Sequence, residues 1–479
     1  MHHALDRAHH AERSVIDKGE DAPPAATRGS AGCDGGQTAR GNGGRGGGSG
    51  GEKAAPCEGL FHAGLLLLRT DLNYAGRGGI QGGKRGRKQP PAHCGLVRRG
   101  GFGFQVRMKN RKTPALTPLA ASLPASVPFV GPEALERRMG RPFAARIGAN
   151  ENGFGPSPAA IEAMRAAAAE AWMYGDPENH DLRRALARHH GVNPANIMIG
   201  EGIDGLLGYL VRLFVAPGEK VVTSAGAYPT FNYHVTGYGG ELVRVPYRDD
   251  REDPQALVAA ARETGAKMIY LANPDNPMGT WHGAEAITRM IEALPAGCLL
   301  VLDEAYVEFA PEGTAPPLDP ENPAVIRMRT FSKAYGMAGA RVGYAIGAAA
   351  VIAAFDRVRN HFGMSRISQA GALAALGDQG WLARVLGEVA GARARIGEIG
   401  RANGLTPLPS ATNFVAIDCG ADGAFARAVV EELGARGVFV RMPFEAPQDR
   451  CIRVSCGPEE AMAAFAAALP DALAAAKAR

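Results

Sequence analysis

Residues 299–306 read LLVLDEAY, and this stretch decides the fold class. Four apolar residues followed at once by Asp303 are typical of a buried strand. Segments of helical pattern, such as residues 205–215, separate this stretch from similar apolar runs. The other runs of strand length are residues 196–199, 220–223, 241–245, 268–271 and 325–329. Strands that alternate with helices predict an α/β fold, in which helices cover both faces of a mostly parallel sheet.

The last hundred residues show a different order of elements. A long helical segment, residues 382–402, is followed by a helix at 424–434, an Ala-rich terminal helix and strand patterns at 413–417, 438–441 and 451–455. This order predicts a second, smaller α+β domain. We therefore expect a large domain at residues 165–375 and a small C-terminal domain at 376–479. Residues 118–164 would form an N-terminal arm and part of the small domain.

Residues 1–117 do not resemble a folded domain. Their Gly-rich segment cannot bury enough apolar surface to offset its ordering entropy, so we expect disorder. Residues 72–132 contain 11 Lys/Arg and no acidic residue. This charge would suit nucleic acid, but no aromatic-rich binding motif accompanies it. We favour a solvated tail, or sequence upstream of a natural start at Met108, and we do not predict nucleic-acid binding.

The overall composition excludes several classes of protein. The 479 residues are 46% hydrophobic and carry a net charge of +5. No apolar run approaches the ~20 residues of a membrane helix, so we expect no membrane association. The seven cysteines lack the paired spacing of a disulfide framework or a zinc site, and no signal-peptide pattern is present. We therefore expect a reduced, cytoplasmic protein without a bound metal.

Polar residues follow two of the predicted strands. Asp303 ends one apolar run, and residues 330–333, TFSK, follow another. Open α/β sheets bind ligands at the carboxyl ends of their strands, so both positions are candidates for a site. Arg341 lies eight residues after Lys333 in a Gly-rich segment that would suit an anion. Taken alone, Asp303 is equally consistent with a helix cap or a structural ion pair.

Four motifs in a fixed order carry a resemblance to a known family. They are GANENGFGPSP at residues 148–158, NPDNPMG at 273–279, DEAY at 303–306 and SKAYGMAGARVG at 332–343. Together they resemble the pyridoxal-phosphate-dependent aminotransferases of class I/II and fold type I, and most closely their histidinol-phosphate aminotransferase branch. The resemblance covers about residues 145–457. It implies a large domain with a mostly parallel sheet between helices and a smaller C-terminal α+β domain.

The resemblance implies pyridoxal 5'-phosphate as cofactor and assigns roles around its ring. Lys333 would hold the cofactor covalently and then move a proton during the reaction. Asp303 would pair with the pyridine nitrogen and keep it protonated. Tyr306 and Asn276 would hydrogen-bond the phenolic oxygen. Tyr228 would stack on the ring, although a core aromatic is the alternative interpretation of this residue.

Further residues match the family's cofactor-phosphate site. Backbone amides at a helix N-terminus, two hydroxyls and a guanidinium would surround the phosphate. These groups belong to Gly202, Ile203, Thr330, Ser332 and Arg341. Tyr174 matches a family tyrosine that reaches the phosphate from the other subunit. The resemblance therefore implies a homodimer with Tyr174 contributed across the interface.

The implied substrate site rests on arginines. Arg453 resembles the residue that binds the substrate's carboxylate or phosphate, and Arg441 would add a second contact unless it is an ordinary surface residue. Asn150, in the first motif, is the third residue expected to bind substrate. Met278 replaces the usual Thr of the second motif, and Gly205 replaces a polar residue. These departures affect the substrate more than the type of reaction.

The implied activity is transamination between an amino donor and a 2-oxo acid acceptor. Histidinol phosphate with 2-oxoglutarate is the pair that the resemblance favours, with an aromatic or aliphatic amino acid as the alternative donor. A lyase of the threonine-phosphate decarboxylase type would use the same cofactor residues. A regulator that had gained nucleic-acid binding through its basic segment is the non-enzymatic alternative.

Overall fold

The computed structural model describes residues 113–125 and 129–479. The disorder expected for most of residues 1–117, and the proposed start at Met108, therefore fall outside the described residues. The described strands are β1 (Ala145–Arg146), β2 (Ile197–Gly200), β3 (Lys220–Ser224), β4 (Glu241–Val245), β5 (Met268–Ala272), β6 (Leu299–Asp303), β7 (Val325–Thr330), β8 (Gly343–Gly347), β9 (Thr406–Pro407), β10 (Phe414–Asp418), β11 (Val438–Phe439) and β12 (Cys451–Ser455).

Helices connect and cover these strands. Several begin at a side-chain cap: Ser157 accepts a hydrogen bond from the amide of Ala160, and Asp253 accepts bonds from two amides of the next helix. The described helices are α1 (Pro118–Ser122), α2 (Pro132–Met139), α3 (Pro158–Ala168), α4 (His180–His190), α5 (Gly202–Phe214), α6 (Pro229–Gly237), α7 (Pro254–Thr264), α8 (Ala284–Glu292), α9 (Ala349–Ala354), α10 (Arg366–Gly377), α11 (Gln379–Ala402), α12 (Gly423–Ala435) and α13 (Glu459–Lys477).

Seven strands form the central sheet, in the order β2-β8-β7-β6-β5-β3-β4. The strands from β7 to β4 are mutually parallel, and β8 runs antiparallel to both of its neighbours. The predicted α/β fold with a mostly parallel sheet is therefore confirmed. β8 is a strand that the sequence analysis missed. Its sequence, GYAIG, begins and ends with glycine, which weakens a strand pattern.

The central strands are buried on both faces, which explains their uninterrupted apolar sequences. In β5 and β6, Tyr270 and Val301 belong to the core on one face of the sheet. Leu271 and Leu302, one position further along each strand, belong to the core on the opposite face. This alternation follows from the two-residue period of a strand. A parallel sheet between two helical layers needs apolar side chains at both positions.

The smaller sheets contain the remaining strands. β12, β10 and β9 form an antiparallel sheet, and β1 pairs with β11 in parallel. The predicted strand at 438–441 is shorter in the structure, because beyond β11 only a single bridge joins Arg441 to Arg453. α10 is a helix that the sequence analysis did not predict. The division into 118–164, 165–375 and 376–479 stays a proposal.

Candidate functional site

The candidate site lies at the carboxyl ends of three adjacent parallel strands. Asp303 is the last residue of β6, and Thr330 is the last residue of β7. Lys333 is the third residue after β7, and Asn276 lies in the loop after β5. Because β5, β6 and β7 are parallel neighbours, their carboxyl ends meet at one edge of the sheet.

Asp303 is a buried acid that is stabilised by hydrogen bonds. Its Oδ2 accepts a bond of 2.7 Å from the hydroxyl of Tyr270, and its Oδ1 accepts one of 2.9 Å from the amide of Ala305. Loss of water raises the pKa of Asp303 to about 6, and the charge of Lys333 opposes this rise. Within the described residues Asp303 belongs to no ion pair, so the structural ion pair considered as an alternative is absent there.

Lys333 lies close enough to Asp303 for the two charges to interact, and the region around these two side chains is termed the cavity. Its Nζ donates a hydrogen bond of 3.0 Å to the carbonyl oxygen of Asn150 and lies 5.6 Å from the centre of the Tyr306 ring. Loss of water lowers the pKa of Lys333 to about 8, and the positive charge of Arg453 acts in the same direction. A primary amine with this lowered pKa is partly neutral near physiological pH, and its neutral form can act as a nucleophile.

The residues expected to surround the cofactor ring lie beside this amine. The hydroxyl of Tyr306 accepts a hydrogen bond of 3.1 Å from the side chain of Asn150. The Oδ1 of Asn276 accepts one of 2.5 Å from Arg453. Tyr228 precedes α6, and desolvation raises its pKa to about 12, with a smaller contribution from the charge of Asp303. The fold therefore brings these predicted residues to one cavity.

A second group of predicted residues meets where β2, β8 and β7 adjoin. Gly343 of β8 pairs with Gly200 of β2 on one side and with Thr330 of β7 on the other. α5 begins at Gly202, directly after β2, so its first amides, including that of Ile203, point away from the helix at this junction. The N-terminus of a helix favours negative charge.

A guanidinium and two hydroxyls complete this junction. Arg341 donates a hydrogen bond of 3.3 Å to the Oγ of Ser332, which also accepts one of 2.9 Å from Thr330. A Cβ on Gly202 would overlap the guanidinium of Arg341, and a Cβ on Gly343 would overlap the backbone at the start of α5. Amides, hydroxyls and a cation in a cradle that only glycine permits fit a phosphate group.

Two arginines lie side by side next to Asn276. Arg453 and Arg441 form a backbone bridge, in which the amide of Arg453 donates to the carbonyl of Arg441 at 2.6 Å. The guanidinium of Arg453 donates to Asn276 at 2.5 Å and to the carbonyl of Gly148 at 3.4 Å, while its buried Nε has no partner. Arg441 donates to the carbonyl of Val130 at 3.1 Å.

Neither arginine is paired with a carboxylate in the part of the chain that the structure describes. Desolvation lowers the pKa of Arg453 to about 10 and also lowers that of Arg441. The charge of Arg441 adds to the shift at Arg453. Two cations whose hydrogen bonds go to neutral oxygens and whose other contacts are aromatic rings form a site for an anionic group, since burying a charge without an opposite charge is unfavourable.

Asn150 connects the two halves of the cavity. Its backbone has a φ of 55°, and its carbonyl accepts from both Lys333 and the side chain of Asn413. Its side-chain amide donates to Tyr306, and its Oδ1 accepts a bond of 3.3 Å from Ser455. Asn150 therefore orients the amine and the tyrosine of the site in addition to the substrate contact expected of it.

Tyr174 lies apart from these groups. Its side chain is 77% exposed, and its ring packs on Phe362 at 4.8 Å. Within residues 113–125 and 129–479 its hydroxyl forms no hydrogen bond, although its carbonyl accepts one from Arg366. Phe362 is 53% exposed, so Tyr174 and Phe362 form an exposed apolar patch, and Trp172, two residues before Tyr174, is 82% exposed.

The sequence analysis missed Tyr270, which makes the shortest hydrogen bond to Asp303. Tyr270 lies inside the apolar run of β5, where it looks like an ordinary core residue. The signal was its register: Ala272 pairs with Asp303 across β5 and β6, and Tyr270 lies two residues before Ala272 on the same face. Neighbouring strands had to be aligned before this contact could be predicted.

No group of three or more His, Cys, Asp or Glu in the described residues is arranged to hold a metal ion. None of their helices has the length and apolar character that crossing a membrane requires.

Comparison with known proteins relates this arrangement to one family. The family model described as aminotransferase class I and II matches residues 145–469. The histidinol-phosphate aminotransferase of Anaeromyxobacter sp. (strain Fw109-5) is 37% identical over 333 residues, which are 68% of this chain and 90% of that protein. Histidinol-phosphate aminotransferase 2 of Pseudomonas aeruginosa is 38% identical over 341 residues, covering 70% of this chain and 91% of that protein.

A solved structure gives the same relationship. The crystal structure of histidinol-phosphate aminotransferase from Sinorhizobium meliloti in complex with pyridoxal-5'-phosphate is 57% identical and superposes with a TM-score of 0.74. The match covers 76% of this chain and 99% of the Sinorhizobium meliloti chain.

Proposed function

The chain belongs to the class I and II aminotransferase family, and from this premise we propose that it transfers the amino group of histidinol phosphate, or of a close analogue, to a 2-oxo acid. It is a pyridoxal-phosphate-dependent enzyme, like the Sinorhizobium meliloti protein that it resembles. The amino donor leaves as a carbonyl compound, and the 2-oxo acid leaves as an amino acid. The relatives described above support histidinol phosphate as the donor.

The pair Arg441 and Arg453 is the observation that carries this proposal. Two adjacent guanidinium groups without a carboxylate partner favour a doubly charged anion over a single carboxylate. The phosphate of histidinol phosphate has that charge, whereas a neutral aromatic or aliphatic side chain would leave one guanidinium without an opposite charge. The 2-oxo acid would use the same arginines through its carboxylate.

The residues of the cavity fit the cofactor. The cradle of Gly202, Ile203, Thr330, Ser332 and Arg341 would hold its phosphate, since each of them offers an amide, a hydroxyl or a cation there. When bound, the cofactor supplies a ring that withdraws electrons from the carbon bearing the amino group.

Asp303 and Lys333 would act at the two ends of the ring. The buried carboxylate of Asp303 would hold a proton on the ring nitrogen, and Tyr270 would keep that carboxylate ionised. Lys333 would attach the cofactor and, when released, carry a proton between two carbon atoms. Its lowered pKa suits a base that must gain and lose a proton near neutral pH.

Three side chains would fix the remaining edges of the ring. Tyr306 and Asn276 would donate to its phenolic oxygen, and Tyr228 would cover one face. Each of these tyrosines is strongly desolvated, which keeps its hydroxyl protonated and able to donate.

We propose a homodimer in which the exposed Tyr174 reaches the phosphate cradle of the partner, in a family that is typically dimeric. The exposed apolar patch around Tyr174 supports this assignment. We also propose that the enzyme works in the cytoplasm.

A donor panel with matched pairs tests the function. Histidinol phosphate, histidinol, phenylalanine and leucine are each offered with 2-oxoglutarate, and glutamate formation is measured. We expect kcat/KM for histidinol phosphate to exceed that for histidinol by about 100-fold or more, because only the phosphate engages both arginines. Equal values for the two donors would contradict the substrate assignment. Release of CO2 without glutamate would identify a lyase instead.

A further inference from the structure

Glu252 and Asp275 meet in the interior beside the candidate site. Both residues are 2% exposed, and their two carboxyl groups are joined by a side-chain hydrogen bond. Neither was singled out as a candidate in the sequence analysis. Asp275 lies between Asn273 and Asn276 in the loop after β5, and Glu252 precedes α7.

The other hydrogen-bond partners of these two acids are neutral donors. Glu252 accepts bonds from the hydroxyl of Ser224 at 2.6 Å and from the amide of Ala272 at 2.9 Å. Asp275 accepts bonds from the hydroxyl of Tyr247 at 2.8 Å and from the amide of Met278 at 3.0 Å. Within the described residues neither acid belongs to an ion pair. Two buried carboxyl groups in contact cannot both be ionised at little cost, so the pair retains a proton.

The environment of each acid indicates which one carries the proton. Both acids accept one of these donors on each carboxylate oxygen, but the positive charge of Arg453 lowers the pKa of Asp275. Burial nevertheless raises the pKa of Asp275 to about 6, and it raises that of Glu252 well above its usual value. The charge on Asp275 and the proton on Glu252 are therefore the favoured arrangement near neutral pH.

Asp275 is directly connected to the substrate site. Its amide and carbonyl form hydrogen bonds with Thr280 at 2.8 Å and with Gly279 at 3.1 Å, which close the turn at residues 275–280. The neighbouring Asn276 projects from this turn and accepts the hydrogen bond from Arg453. The ionised acid thus both shapes the turn and supplies a negative charge behind an arginine that has no carboxylate partner.

We propose that Glu252 and Asp275 are positioning residues that share one proton, and that their single negative charge, held on Asp275, sets how strongly Arg453 binds the anionic group of the substrate. This inference rests on the proposed function for the identity of that anion. A fully protonated pair would leave Arg453 more attractive to anions, and a doubly ionised pair would make it less so.

The titratable and charged groups that face the pair come from four elements or loops. Tyr247 follows β4, Tyr270 lies on β5, His282 bonds the carbonyl of Glu252 at 2.7 Å, and Arg453 lies on β12. Both tyrosines have raised pKa values through burial, which keeps them neutral, and burial lowers the pKa of His282, which favours its neutral form.

The charge of the pair is tested with the holoenzyme and inorganic sulfate. Sulfate keeps its two charges from about pH 5 to about pH 9, and in the holoenzyme the cofactor's own phosphate fills the cradle. The dissociation constant of sulfate is measured by calorimetry across this range for the native chain, E252Q, D275N and the double variant. R453A identifies the binding that depends on Arg453.

Each variant has its own expected pH dependence. In the native chain the sulfate dissociation constant should rise by about threefold to tenfold as the pair loses its first proton, and rise again at higher pH. E252Q and D275N each keep one ionisable group and one of these steps. The double variant should lose both. A double variant that retains the native pH dependence would overturn the proposal.

An infrared measurement keeps the proposal testable if the double variant does not fold. The native holoenzyme at about pH 7.5 should show the carbonyl band of a protonated carboxylic acid that is missing from E252Q. Identical spectra would show that Glu252 is ionised and would overturn the shared proton.

Kinetics separate positioning from a purely structural role. E252Q, whose amide can still donate to Asp275, should keep KM for histidinol phosphate within about twofold of the native value. E252L, which cannot donate to Asp275, should favour the protonated form of Asp275 and lower KM about threefold near neutral pH, while kcat changes little. A loss of kcat and thermal stability without this KM effect would overturn the positioning role. The native enzyme could fail to use histidinol phosphate while the sulfate and infrared results are as expected. That outcome would contradict the substrate assignment and leave the proposal that Glu252 and Asp275 share a proton supported.

Discussion

Replacing Tyr270 with Phe tests how this chain keeps a carboxylate ionised at the centre of a buried sheet. The substitution removes the hydroxyl that donates to Asp303 at 2.7 Å and keeps the ring, which stacks on Phe231 at 4.5 Å. Packing is thus retained while one hydrogen bond to a charged group is lost. Such a bond contributes about 1.5–3 kcal/mol, which corresponds to roughly 1–2 pKa units.

The magnitude follows from the pKa of Asp303, which burial has already raised from 3.8 to about 6. An acid with a raised pKa favours folding while it is protonated, and that contribution is lost as the pH rises through the folded pKa. The cofactor-free native protein should lose about 3 kcal/mol through Asp303 as the pH rises from about 4 to about 6, with no further loss above that range. In Tyr270→Phe the loss should continue to roughly pH 7–8 and should be larger by about 1.5–3 kcal/mol.

Urea unfolding of the cofactor-free protein between about pH 5 and about pH 8 measures this difference. Tyr344→Phe is the matched control, because it removes a buried hydroxyl that bonds His190 at 2.9 Å and not Asp303. With cofactor bound, Tyr270→Phe should lower kcat about tenfold or more with little change in KM, since the proton moves from the ring nitrogen toward the carboxylate. A variant whose stability follows the native pH dependence would refute the role of Tyr270.

Other substitutions test the remaining parts of the site. Lys333→Ala should abolish the absorbance that borohydride bleaches and lower kcat by about a thousandfold or more; a native rate would show that another amine attaches the cofactor. In the cofactor-free protein, whose Lys333 has a pKa of about 8, stability should rise as the pH increases from about 8 to about 10, because the unfolded chain binds the extra proton. Gly202→Ala should weaken cofactor binding at least about tenfold in a fluorescence titration, while Gly205→Ala in the same helix should not, because only the first places a Cβ on the guanidinium of Arg341. Arg453→Ala should raise KM for histidinol phosphate by about 30-fold or more, and a KM within twofold of native would remove Arg453 from the substrate site.

The sequence predicted the central sheet well because its strands carry a strong signal. Strands buried on both faces must be apolar at every position, so the runs ending at Thr223, Leu271 and Leu302 were found to within one residue of β3, β5 and β6. β8 escaped because its pairing depends on two neighbours far away in the sequence, Ile199 and Arg329, which face Tyr344 across the sheet. Such non-local pairings leave little trace in a local pattern.

The site was predictable to the extent that its residues end strands or belong to motifs. Asp303 and Lys333 could be found in this way, and the structure brings them into one cavity. The groups that tune them could not be found, because they act through contacts between segments that are distant in the chain. Tyr270 looks like a core residue, and Glu252 looks like a surface acid before a helix, until the neighbouring strands are aligned.

The ionisable groups of the cavity share one property, which explains why cofactor and substrate should stabilise the fold. The pKa of Asp303 is raised and those of Lys333 and Arg453 are lowered, because the surroundings of each group disfavour its charged form. The unfavourable free energy of each buried group is relieved when a partner of opposite charge binds to it or a covalent bond is formed with it. Ligands that bind only the folded chain stabilise it in proportion to the logarithm of their concentration above Kd. The cofactor should therefore raise Tm, and sulfate should raise it further only while Arg453 is present.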